Sequence, residues 1–127
     1  MGRQSTQRGH ALLAPPFGPP GPAFLPAEGE VYWVRTLLYS STDPAPARPA
    51  VVLLVPALVS ARIQLVTRTS ESSPGVVHPA CRSLGLNVAG VFSDLVSVER
   101  SAWCPHNVRR CGQLEEAVWK LVQERFS

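Results

Sequence analysis

Arg48-Pro49-Ala50-Val51-Val52-Leu53-Leu54-Val55 is the stretch that decides the fold. From Ala50 to Val55 it carries no polar side chain, and Pro49 and Pro56 bound it. An apolar run of that length between breakers reads as a strand buried on both faces. Upstream, Glu30-Val31-Tyr32-Trp33-Val34-Arg35 is rich in β-branched and aromatic residues, a second strand signature. Ser40 to Pro49, with three prolines, reads as the long loop between them. Downstream, Ala61 to Thr69 alternates. Ile63, Leu65 and Thr67 share one face, and Arg62, Gln64, Val66 and Arg68 the other.

Beyond Thr69 the elements shorten. A polar turn at Ser70 to Pro74 precedes a short extended piece, Gly75 to His78, and Pro79 to Ala89 reads as loop. Gly90 to Arg100 is a further strand, bent near Asp94, and Ser101 to Cys111, interrupted by Pro105, is expected to be irregular. The chain closes with a helix over Gln113 to Phe126, where Leu114, Val118, Leu121, Val122 and Phe126 recur at helical spacing. Gly112 suits its N-cap, with Glu115 and Glu116 in the first turn and Arg125 in the last, as the helix dipole favours. Short strands, long loops and one terminal helix predict a mainly β fold with α: a small curved sheet or barrel plugged by the helix.

The 127 residues suffice for one domain. Residues 1–28 stand apart, with six of the thirteen prolines, as in Pro15-Pro16-Phe17-Gly18-Pro19-Pro20-Gly21-Pro22. Such a segment forms neither helix nor ladder, so it is expected as a disordered or polyproline-like leader before a domain at 29–127. An apolar content of 45% against 17% charged residues provides a core and excludes wholesale disorder. A net charge of +3 permits nucleic acid without demanding it, and 7% aromatic residues argues against an array of base-stacking platforms. Three cysteines cannot all pair within one chain. With no apolar run long enough for a signal core or a membrane span, the expectation is a cytoplasmic protein with reduced thiols and no membrane association.

The order of these blocks resembles the MazF/PemK family of toxin endoribonucleases. Gly29-Glu30-Val31-Tyr32-Trp33-Val34 is similar to that family's opening strand, and Arg48-Pro49-Ala50-Val51-Val52 to its Arg-Pro-aliphatic block. Ile63-Gln64-Leu65-Val66-Thr67 resembles the next strand, Leu86 to Phe92 the approach to the fifth, and Cys111-Gly112-Gln113-Leu114 the start of the final helix. The resemblance implies an SH3-like curved β-barrel closed by a C-terminal helix, a homodimer, and a small antitoxin protein as partner. It implies cleavage of single-stranded RNA by attack of the ribose 2′-hydroxyl on the adjacent phosphate, with no cofactor or metal. Arg48 and Thr67 match the family's catalytic positions: a guanidinium offers a phosphate a fixed fork of donors, and a hydroxyl beside it can position the phosphate. Arg68, His78, Arg109 and Arg110 are the expected RNA contacts. The chain departs from the pattern where some relatives carry Arg-x-Asp on the fifth strand, since Ser93-Asp94-Leu95 stands in that region.

Other readings compete. Arg48 could simply pair with Asp43, and Thr67 could be an ordinary strand residue. A non-catalytic module of the same fold, binding nucleic acid or protein and including a gyrase-poisoning role, fits the same sequence. His78, Cys81, Cys104, His106 and Cys111 are the right ligand types for zinc, yet neither CxxC nor HxxxH spacing occurs, so no metal is expected. His78 and His106 could also form an acid–base pair. No Gly-rich phosphate loop, nucleophile elbow or dinucleotide fingerprint is present.

Overall fold

In the computed structural model, which describes residues 14–127, the strands fall where branched and aromatic residues cluster. They are β1 (Glu30–Arg35), β2 (Ala47–Leu54), β3 (Ile63–Thr69), β4 (Val76–His78), β5 (Gly90–Val98) and β6 (Val108–Gln113). One helix, α1 (Glu116–Phe126), ends the chain, and single 3-10 turns lie at Thr36–Leu38, Arg82–Leu84 and Arg100–Ala102. The six strands of the described residues join one sheet in the order β4-β5-β3-β2-β1-β6, every neighbour antiparallel. No helix among the described residues is long and apolar enough to cross a membrane.

Alternation along the strands divides the buried side chains between two faces. Val31, Trp33, Val51, Val66 and Phe92 form one cluster, roofed by Leu84, Leu86 and Val122 of α1. Tyr32, Val34, Val52, Ile63, Leu65 and Val98 form the other, around the fully buried Trp103. β2 therefore reads as an unbroken hydrophobic run from Ala50 to Leu54 because both of its sides are covered over most of that length.

The sheet does not close into a barrel. The outer strands β4 and β6 do not pair with each other. β4 is only three residues long between Pro74 and Pro79, and a proline supplies no amide to extend a ladder. The gap is filled by packing: α1 lies on β4, and the Arg82–Leu84 turn lies on β6. That turn sits so near the strand that a Cβ on Gly112 (φ +152°) would come 2.9 Å from Leu84 Cδ2.

Three boundaries differ from expectation. Val108 to Cys111 is strand, pairing Arg110 with Tyr32 and Arg109 with Trp33. As an outer strand with two exposed arginines it carries no apolar alternation to betray it. Gly112 and Gln113 belong to that ladder, so the helix begins at Glu116 with Glu115 as its N-cap residue. The expected leader also differs. Residues 1–13 lie outside the described residues, whereas 14–28, though lacking helix and strand up to the turn at Glu28, lie against the domain. The amides of Gly18 and Phe24 donate to the Pro105 and Trp103 carbonyls, both at 3.0 Å. Phe17 packs on the core under the Arg35 guanidinium, 4.4 Å from the ring centre.

Candidate functional site

Strands β2, β3 and β5 bring Arg48, Thr67 and Asp94 to one face. Ala50 faces Thr67 across β2 and β3, and Thr67 faces Asp94 across β3 and β5. Arg48 lies two residues from Ala50 and so points the same way, opposite Thr69 if that register is continued. At Ser93 the ladder carries one extra residue, since Thr67 pairs with Asp94 but Arg68 with Phe92. This bulge is the bend expected near Asp94, and bulges commonly re-aim side chains at sites. The result is a cleft of about 440 Å³, walled by Arg48, Thr67, Thr69 and Asp94, roofed by Tyr39 and Asp43, and rimmed by Glu71 to Ser73. That size suits a small ligand or one residue of a polymer.

Within it, Arg48 is already engaged. Its Nε donates to Asp43 Oδ2 at 2.7 Å and its Nη2 to Asp43 Oδ1 at 3.0 Å. The bidentate bond holds the Asp43 carboxyl below its usual range and raises the guanidinium in turn. Thr67 Oγ1 donates a long bond, 3.4 Å, to the Asp94 carbonyl. Burial first, and the Asp43 charge second, push the Tyr39 phenol up to about 12, so it stays a neutral donor. Its buried hydroxyl has no hydrogen-bond partner among the described residues. Three carboxylates (Asp43, Glu71, Asp94) and one guanidinium thus line the cleft.

The other expected RNA contacts lie elsewhere. Arg68 and His78 are sealed in the interior, 1% and 0% exposed, out of reach of a phosphate. Arg68 points to the opposite face from Thr67, as strand alternation requires. Its Nε donates to His78 Nδ1 at 2.9 Å, and its Nη2 to the carbonyls of Val88 (2.8 Å) and His78 (3.3 Å). Gly90 allows this: a Cβ there would lie 2.6 Å from Arg68 Nη1. Arg109 and Arg110 stand exposed on β6, three strands from β3. One donates to the Pro16 carbonyl and the other pairs with Glu30.

The His/Cys set divides. His78, Cys81 and Glu115 place one potential ligand atom each within 4.8 Å of one another, without Cys104, His106 or Cys111. Because Nδ1 of His78 accepts from Arg68, its proton resides on Nε2, which donates to Glu115 Oε1 at 3.2 Å. Both ring nitrogens are therefore occupied, and a guanidinium lies alongside. The donor set fits a proton-sharing chain rather than a cation. Burial, assisted by the Arg68 charge, lowers the His78 pKa against the pull of Glu115.

Sequence reasoning missed Thr69 and Tyr39, and read Asp94 only as the place of a bend and of a departure from the family pattern. Thr69 was recoverable, since it shares the face of Thr67 two residues on. Tyr39 follows a 3-10 turn that carries no periodic signal. No family model matches the sequence, and no curated protein matches it.

Proposed function

We propose that this chain is a metal-independent endoribonuclease of the MazF/PemK toxin kind, cleaving single-stranded RNA at the Arg48 cleft. The curled sheet would be that family's barrel, left open between β4 and β6. One observation carries the reading: Arg48 and Thr67, picked out by block order alone, line the same cleft. In the reaction the 2′-hydroxyl oxygen bonds to the adjacent phosphorus while the bond from phosphorus to the 5′-oxygen breaks. Asp94, which faces Thr67 and has no cation among its hydrogen-bond partners in the described residues, takes the 2′-hydroxyl proton. The leaving 5′-oxygen takes a proton from water. Arg48 neutralises the charge that accumulates on the phosphoryl oxygens, and Thr67 or Thr69 donates to one of them. A cognate antitoxin covering the cleft, and a homodimer, belong to the same proposal.

A second reading, a non-catalytic binding module of the same fold, draws support from the Asp43 pair and the excess of carboxylates. Induced expression of wild type and Arg48→Ala, with growth scored and new RNA 5′ ends mapped, separates the two. The ribonuclease predicts growth arrest and discrete cuts in wild type, with cleavage reduced about 100–1,000-fold in the variant, the usual loss for one transition-state donor. Soluble wild type that leaves RNA intact favours the module.

A further inference from the structure

Asp43 belongs to a loop that is anchored at its ends and nearly free in its middle. At the ends, Thr36 holds Pro46 and Ala45: its amide donates to the Pro46 carbonyl and its hydroxyl to the Ala45 carbonyl. Between them, the amides of Thr42 and Asp43 donate to Ser40 Oγ, and that of Ala45 to Asp43 Oδ1, all inside the loop. For Ser41 to Pro44, the hydrogen bonds from Arg48 to Asp43 are the only ones to the rest of the chain among the described residues. The contact that closes the loop is thus the same contact that fills the guanidinium fork.

A carboxylate on that fork has the planar, two-acceptor shape of a phosphate's paired oxygens. We propose that Asp43 is a latch on the anion site: its carboxylate holds the place at Arg48 that an RNA phosphate takes, and RNA enters by displacing residues 41–44. The inference rests on reading the cleft as an RNA site. A tethered carboxylate competes at high effective concentration, so a lone phosphate fails to displace it, and a longer strand succeeds by making further contacts. Apparent affinity is lowered by the fraction of molecules that are unlatched. The latch keeps the cleft closed to mononucleotides and inorganic phosphate.

The test measures binding of a pool of 2′-O-methyl single-stranded oligonucleotides, which bind but cannot be cut, by fluorescence anisotropy. Asp43→Asn keeps an acceptor for the Ala45 amide and removes the charge. Asp43→Ser does the same with a hydroxyl and serves if the first variant fails to fold. Either is expected to bind at least about tenfold more tightly than wild type, a gain abolished when Arg48→Ala is added. Glu71→Gln, which removes a carboxylate from the same cleft without freeing Arg48, should gain less than about threefold. Equal gains for Glu71→Gln and Asp43→Asn, or no gain for Asp43→Asn, overturn the latch. Tighter, Arg48-dependent binding in a protein that cuts no RNA keeps the latch and removes the ribonuclease. Cleavage by wild type with no gain in Asp43→Asn does the reverse. No binding by any form removes both.

Discussion

Two strand arginines, Arg48 and Arg68, mark two different regions of this molecule. Arg68 is enclosed, and its donors end on the Val88 and His78 carbonyls and on an imidazole that donates a hydrogen bond to Glu115. Arg48 lies in an open cleft, and its donors end on one side chain of a surface loop. The acceptors of Arg68 are main-chain carbonyls and a fully buried imidazole, whereas the one acceptor of Arg48 is a side-chain carboxylate that can be exchanged for another anion. The lesson is that the mobility of an arginine's acceptors, more than the number of its hydrogen bonds, separates a structural cation from one available to a ligand.

The largest effect should come from the enclosed arginine. Arg68→Ala leaves the Val88 carbonyl and the His78 ring without their donor and opens a void beside Phe92, so it should cost about 3–5 kcal/mol in urea unfolding. A loss below about 1 kcal/mol would erase the distinction between the two regions.

An intermediate effect concerns pH. The folded pKa of His78 lies below its ordinary value of 6.5, so the folded state favours the neutral ring. That contribution is complete above about 6.5, where the unfolded chain is also neutral, and is lost as the pH falls through the lowered folded value. The urea midpoint should therefore decline between pH 7.5 and 5, and the decline should flatten in His78→Gln. His78 has charged or titratable neighbours on several elements: Arg68 on β3, Glu115 at the start of α1, and Cys81 beyond β4. An unchanged slope in His78→Gln would show that the chain from Arg68 to Glu115 does not govern stability in this range.

The smallest effect should fall on the cleft. Arg48→Ala breaks an ion pair whose members are 24% and 15% exposed, and Asp43 retains the Ala45 amide. Its stability should change by about 1 kcal/mol or less while any cleavage is lost. A loss matching that of Arg68→Ala would make Arg48 structural and sharpen the case for a binding module.

Legibility in the sequence followed burial and periodicity. β1 and β2 were readable from branched and aromatic runs that are buried on both faces, and β3 from its alternation. The extra residue at Ser93 left its mark as an expected bend. β6 was hidden because an outer strand needs no apolar alternation, and its Arg109-Arg110 pair looks like a solvated turn. Arg48 and Thr67 could be picked out from block order, but their meeting in one cleft depends on the register of β2 against β3, which spacing does not give. The interior role of Arg68 could not, since nothing in the spacing says that His78 and the Val88 carbonyl will meet it. The pairing of Arg48 with Asp43, set out beforehand as the plain alternative, is the one that occurs.

Strands at the ends of a sheet invite addition of a foreign strand, the first step in aggregation. Here the two ends are guarded by different means. β4 is too short and too tightly bracketed by prolines to template a partner. β6 is twice as long and is guarded by two adjacent guanidiniums and by residues 16–24, which are tied to its Arg109 and to the carbonyls just before it. Composition sets those residues apart as a leader, yet their hydrogen bonds place them beside an outer strand of the sheet.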